Sequence, residues 1–249
     1  VFRAGQLYHP RSLANTSPGE VADQIAEHTS AQELGIIVIC SVNDQFAASL
    51  ESTLSTTALA AVSVVWVGRD LAIPMLHTLD DPSTVGHDRL LNALGAFSRT
   101  RQACVVVDCG TAVTIDFIDG QGTFHGGAIL PGVQMMLDAL HQRTAALPEV
   151  RFAGPPPAEP FCGKDTRSAM VLGVAASVVG GVHRLVQRYS EAFGAYPQVV
   201  ATGGDAPALL EHDDVVEHIV PDLQLLGISE VYAHARRADA DDEPALDEL

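Results

Sequence analysis

Apolar and polar positions along the chain follow two different periods, and the change from one to the other marks out its elements. Residues 36–42 and 62–67 are short β-branched runs bounded by polar residues, and they read as buried strands. The Ala- and Leu-rich stretch between them reads as a helix, so these two strands are expected to pair in parallel. Upstream, Ser17-Pro18-Gly19-Glu20 has the form of a capping box with proline at the first helical position, predicting a helix to about residue 33. Downstream of a polar, proline-marked stretch at 80–84, Leu90, Leu91, Leu94 and Phe97 recur at helical spacing.

The period then shortens. Residues 103–108 form an apolar run, Cys109-Gly110-Thr111 a tight turn, and 112–118 an alternating strand carrying Val113, Ile115 and Phe117. A second turn at 119–122 returns the chain through 123–130, so a β-meander is expected. Pro131-Gly132 opens an amphipathic helix to about Leu147, a proline-rich loop covers 154–160, and a long helix runs over 166–193. Residues 199–202, a Gly-Gly turn, and a further helix, strand and helix complete the pattern. The acidic stretch 238–249 lacks apolar periodicity and is expected to be a disordered tail.

Composition narrows the chemistry. A formal net charge of −17, from 14 Lys+Arg against 31 Asp+Glu, argues against a nucleic-acid or anionic-membrane partner, because both are held by basic side chains. Lys164 is the only lysine, so phosphate chemistry here would rest on backbone N–H groups, Arg or a metal. Cys40, Cys104, Cys109 and Cys162 have neither zinc-site nor disulfide-framework spacing, which points to a reducing cytoplasm. No apolar run is read as approaching a membrane span.

Three stretches could carry chemistry. In the DCGTAVTID segment, which starts at Asp108, a carboxylate precedes a glycine turn between two strands. Such a turn, around Gly110, can aim backbone N–H groups and the Thr111 hydroxyl at a phosphate while Asp108 holds a cation; an ordinary hairpin would have the same sequence. Gly86-His87-Asp88-Arg89 opens a helix: Asp88 could accept a hydroxyl proton and Arg89 anchor a carboxylate, or the pair could simply stabilise the helix end. Thr202-Gly203-Gly204-Asp205 follows a strand, where paired glycines let a flat ligand lie against backbone or only turn the chain.

Taken in order, ICSV from Ile39, GHDR from Gly86, DCGTAVTID from Asp108, GGAILPGV from Gly126 and TGGDA from Thr202 resemble the type III pantothenate kinase family over nearly the whole chain. Asp165-Thr166 matches where that family has Asn-Thr. The resemblance implies an α/β fold of two ribonuclease-H-like (actin-like ATPase) domains, mixed sheets flanked by helices, with a cleft between them. The expected division is 1–100 and 101–237, with 238–249 as tail.

The resemblance further implies ATP-dependent phosphorylation of pantothenate by a cytoplasmic homodimer, with Mg²⁺ and a monovalent cation (K⁺ or NH₄⁺). It makes Asp88 the proton acceptor, with Gly86, His87, Asp88, Arg89 and Thr166 at the substrate. Asp108 would hold the monovalent cation, Gly110 and Thr111 would meet ATP, and Gly203 and Gly204 would lie near the nucleoside. Two departures stand out. The family's first strand and Asp-x-Gly-Asn-Thr phosphate turn would precede Val1, so a truncated or misassigned start is expected, the alternative being a non-catalytic accessory or regulatory relative. Leu79 stands where the family places Tyr before the GHDR stretch.

Overall fold

The computed structural model describes residues 1–3, 6–8, 10, 17–28, 35–41, 43–154 and 161–242. They form two compact units: Val1–Pro74, Thr84–Leu91 and Gln224–Leu249 in the first, Met75–Ser83 and Asn92–Leu223 in the second. The expected division was a single cut after residue 100, whereas these units interleave along the chain.

The first unit begins with a short antiparallel pair, β1 (Phe2–Arg3) and β2 (Gln6–Leu7). Helix α1 (Pro18–His28) starts where the capping box places it, with the Glu20 N–H donating to Ser17 Oγ at 3.1 Å; its predicted continuation to residue 33 lies outside the described residues. Strand β3 (Ile36–Ile39), helix α2 (Asp44–Thr56) and strand β4 (Ser63–Trp66) follow. The two strands pair in parallel, from Ile36 opposite Ser63 to Ile39 opposite Trp66. Val42, the expected end of the first strand, lies outside the described residues. Asn43 caps α2, its side chain accepting the Phe46 N–H at 3.0 Å. Ala22, Ile37, Leu50, Leu54, Leu59 and Val62 form this unit's apolar core.

The second unit is built on one mixed sheet. Its elements are β5 (Leu76–His77), α3 (His87–Thr100, from Asn92 onward), β6 (Cys104–Cys109), β7 (Ala112–Ile118) and β8 (Thr123–Pro131). Next come α4 (Val133–Arg143), α5 (Thr166–Phe193), β9 (Gln198–Thr202), α6 (Ala206–Leu210), β10 (His218–Ile219) and the first residue of α7 (Leu223–Asp242). The strand order is β10-β9-β6-β7-β8-β5. Strands β6, β7 and β8 make the expected antiparallel meander, with a register shift between Asp116 and Ile118; β9 joins β6 in parallel. An α/β fold with one six-stranded mixed sheet flanked by helices is thus what forms.

One face of the sheet, with Val105, Val107, Cys109, Val113, Ile115 and Val199, packs against α4 and α5. Helix α5 presents Met170, Val174, Val178, Val182 and Val186, a stripe at every fourth residue, and each buried valine contributes about 1.5–3 kcal/mol of apolar burial. The sequence reading of membrane spans needs correction here. Over its 28 residues α5 is long and apolar enough to cross a bilayer, and the stripe against the sheet accounts for part of that apolarity.

Three other expectations shift. Helix α4 stops at Arg143 because Thr144 turns extended, donates its hydroxyl to the Leu140 carbonyl at 2.8 Å and accepts the Leu147 N–H at 3.3 Å. In α3 the buried residues include Leu91, Asn92, Ala93 and Ala96, while Leu90, Leu94 and Phe97 are half-buried, so the small residues carry the closest packing. Helix α7 continues through Asp242, into the stretch expected to be unstructured; residues 243–249 lie outside the described residues.

Candidate functional site

In the first unit, Gly86, His87, Asp88 and Arg89 are half-buried at the start of α3. The first turn of a helix has unpaired N–H groups and a positive dipole end, and Asp88 uses both. Its Oδ1 accepts the Arg89 N–H at 2.9 Å, and the same N–H lies 3.2 Å from the Gly86 carbonyl. The His87 ring lies against Gly68, which sits at φ +90 in the turn after β4. A Cβ at Gly68 would stand 2.2 Å from His87 Cε1, so the backbone angle favours glycine and any side chain there would have to displace the His87 ring. Cys40, just past β3, feels the same carboxylate: burial, and then the negative charge of Asp88, push its thiol up to about 11. It is therefore a neutral thiol beside an acid, not a nucleophile.

In the second unit, Asp108 stands at the end of β6 opposite Thr202 of β9. The turns that follow these parallel neighbours meet: the Asp205 N–H donates to the Cys109 carbonyl at 3.1 Å. Crevices beyond the carboxyl ends of parallel strands are the usual binding places of open α/β sheets. Gly203, at φ +91, presses its backbone onto Cys109, where a Cβ would come within 2.5 Å of the carbonyl carbon and oxygen and 2.6 Å of Asp108 Oδ1.

Beside these turns lies a cavity of about 750 Å³, lined by Gly110, Thr111, Gly204 and Asp205 from the turns and by Asp138 and Arg143 from α4, among others. That volume suits a nucleotide-sized ligand. Burial raises the Asp205 carboxyl, and burial together with the charges of Asp108 and Asp205 pushes the Cys109 thiol up to about 12. A polyphosphate entering between Asp138 and Asp205, with Arg143 as the lining cation, needs further positive charge, so the residues present fit a metal-bound nucleotide. Among the described residues no three His, Cys, Asp or Glu side chains gather to hold a metal by themselves.

Gly110, Thr111 and Gly204 thus line one cavity, whereas Asp108 and Gly203 are absent from its lining and only precede the lining residues Cys109 and Gly204 in the chain. Thr166 stands exposed at the first position of α5 and is absent from that lining. The preceding Asp165 caps the helix, accepting the Ser168 N–H at 3.0 Å and the Ser168 hydroxyl. Leu79 lies against Gly126, whose Cβ would be 3.3 Å from its Cδ2.

Sequence reasoning missed the wall formed by α4. Its signal was there in the spacing of Gln134, Asp138 and Gln142, polar residues every fourth position on an amphipathic helix. Gln134 orients the wall: its amide donates to Asp138 Oδ1 at 2.7 Å and to the Val150 carbonyl at 3.0 Å, and accepts the Phe152 N–H at 2.9 Å.

The family model for type III pantothenate kinase matches residues 5–188. The chain is 44% identical over 159 residues to the type III pantothenate kinase of Rhodospirillum rubrum, spanning 64% of this chain and 60% of that protein. It is 33% identical over 245 residues to that of Dehalococcoides mccartyi strain CBDB1, spanning 93% and 89%. A solved structure assigned to the Baf family of transcriptional activators, from Campylobacter jejuni, superposes with a TM-score of 0.51 at 21% identity, covering 86% of this chain and 88% of that one. At that identity the likeness concerns the fold alone.

Proposed function

The chain belongs to the type III pantothenate kinase family, and from this we propose that it transfers the γ-phosphoryl group of ATP to the primary hydroxyl of pantothenate, the first step of coenzyme A synthesis. The observation that carries the reading to this chain's own residues is the cavity that gathers Gly110, Thr111 and Gly204 beside Asp108. The Gly110 N–H is taken up by the Ala112 carbonyl at 3.1 Å, so the Thr111 hydroxyl and the remaining turn N–H groups are the ones suited to phosphate oxygens, and Asp108 to a monovalent cation such as K⁺ or NH₄⁺. Mg²⁺, carried in with the phosphates, would neutralise charge on the transferred group.

Asp88 takes the hydroxyl proton of pantothenate as its oxygen bonds to the γ-phosphorus and the bond to the ADP oxygen breaks. Its place in a half-buried helix start leaves it at the turn where the hydroxyl would bind, and Arg89 offers a cation for the pantothenate carboxylate. Gly86 and His87 shape the same turn, and Thr166 completes the substrate contacts. The protein's main contribution is positioning, because phosphoryl transfer leaves it little covalent work. The reading places the enzyme in the cytoplasm, where ATP is available.

A homodimer is part of the same reading. Ala169, Gly173, Ala176, Ser177 and Gly180 are all exposed, on the side of α5 away from its buried valine stripe, and a Cβ at Gly173 or Gly180 would meet nothing within 4 Å. A second helix can approach such a surface closely, and a groove of about 640 Å³ between α4 and α5 adjoins it.

The test is ADP release with and without pantothenate, on the wild type and on Asp88→Asn. Pantothenate-dependent release that falls roughly 10²- to 10⁴-fold in the variant is expected. Release that does not depend on pantothenate would end the kinase reading in favour of a binding or regulatory role, and undiminished activity in Asp88→Asn would remove that residue from proton transfer.

A further inference from the structure

Asn92 is 3% exposed and sits in α3 between Leu91 and Ala93, both fully buried. Its amide donates to Asp108 Oδ2 at 2.8 Å, while its own Oδ1 is buried with no hydrogen-bond partner. Burying an unsatisfied amide oxygen is costly, and a leucine of similar volume would fill the same space without that cost. The amide is therefore poorly explained by stability. Its one evident effect is on the carboxylate it touches. The terminal torsion of an aspartate is broad, so the carboxylate plane is set by what bonds to it. With Oδ2 held by Asn92, Oδ1 lies on the side of the two glycine turns, 3.5 Å from where a Cβ on Gly110 would stand and 2.6 Å from one on Gly203.

We propose that Asn92 is a positioning residue of the phosphoryl-transfer site, which fixes the plane of the Asp108 carboxylate so that Oδ1 faces the nucleotide turns and the cation held there. This inference rests on the reading of Asp108 as the monovalent-cation ligand. It predicts that the asparagine acts on the cation and ATP and leaves the fold and pantothenate alone.

The experiment compares full-length wild type, Asn92→Leu, Asn92→Ala and Asp108→Asn in K⁺ titrations at constant ionic strength. Each is followed by initial rate and, independently, by the K⁺-induced shift in melting temperature with ATP present. Loss of a hydrogen bond to a charged group should raise the half-activating K⁺ concentration and the KM for ATP of Asn92→Leu roughly ten- to a hundredfold. Its KM for pantothenate should stay within about twofold, and its melting temperature without K⁺ should change little, because removing the unsatisfied Asn92 Oδ1 is offset by the donor that Asp108 loses. Asn92→Ala leaves room for a water that can donate to Asp108 in place of the amide, so its K⁺ dependence should fall between the two; it carries the test if the leucine variant does not fold. A wild-type K⁺ response in both Asn92 variants, with only the melting temperature lowered, would make Asn92 purely structural and overturn the proposal. If K⁺ has no effect on the wild type, or Asp108→Asn keeps the wild-type response, the cation reading fails first and takes this inference with it.

Discussion

Gly203→Ala puts the geometry of the turn after β9, proposed above to meet the nucleotide, to a direct test. The new methyl carbon would stand 2.5 Å from the carbonyl carbon and oxygen of Cys109 and 2.6 Å from Asp108 Oδ1. Two of these three neighbours are backbone atoms at the end of an interior strand, so they cannot swing aside as a side chain could. At φ +91 the backbone itself resists a side chain, at about 1–3 kcal/mol, and the overlap adds about 1–3 kcal/mol more. Gly204→Ala is the matched control: nothing lies within 4 Å of its Cβ and its φ is ordinary, so it should change stability by no more than about 0.5 kcal/mol. Urea unfolding followed by circular dichroism gives the stabilities, and calorimetric titration of ATP gives binding. Gly203→Ala is expected to lose at least about 2 kcal/mol and to bind ATP at least tenfold more weakly, because the displaced carboxylate no longer faces the turn. If the two variants agree within about 0.5 kcal/mol, the close approach of Gly203 to Cys109 is wrong.

Other outcomes follow from the same kind of contact. Gly227→Ala would place a Cβ 2.1 Å from the Leu91 carbonyl oxygen, and urea unfolding should show a loss of about 1–3 kcal/mol. Asp119 accepts the N–H groups of Gln121 and Thr123 at 2.9 Å each and bonds His125 Nε2 at 2.8 Å. Burial would raise its carboxyl, but His125 and the two N–H groups outweigh it and hold the carboxyl below its ordinary range. A depressed folded value stabilises above the unfolded carboxylate range and loses that effect as pH falls through it. Asp119→Ala should therefore cost about 1–2 kcal/mol at pH 7, a gap that closes in melts below about pH 4. On the homodimer proposal, Gly173→Leu should halve the mass seen by light scattering while leaving secondary structure intact; a retained dimer would move the proposed surface elsewhere.

The parts legible in the sequence were those set by local pattern. The bounds of α5 and the meander of β6, β7 and β8 follow from periods and turn residues that need no distant partner. Strand β5 was missed because two residues, Leu76 and His77, show no alternation; they are a strand only by pairing with Thr123 and Phe124 of β8. Asn92 was passed over because a polar residue in an amphipathic helix reads as surface, whereas its burial depends on α3 being covered on more than its leucine side. The small residues of α5 illustrate the reverse case. Their positions do not tell from the sequence which side of the helix faces the sheet, and only the burial of Met170, Val174 and Val178 shows which stripe faces inward.

The order of strands also bears on synthesis. The hydrogen bond from Asp205 to Cys109 joins turns almost a hundred residues apart, and β6 takes its second neighbour, β9, only after the whole of α5 has been made. On the ribosome the hairpin of β6 and β7 would emerge with one edge open and half of the paired turns missing, a sticky intermediate whose completion waits on late, non-local pairing. Nascent chains stalled before residue 198 should accordingly recruit chaperones and have no grip on nucleotide, and both should change together once β9 is released.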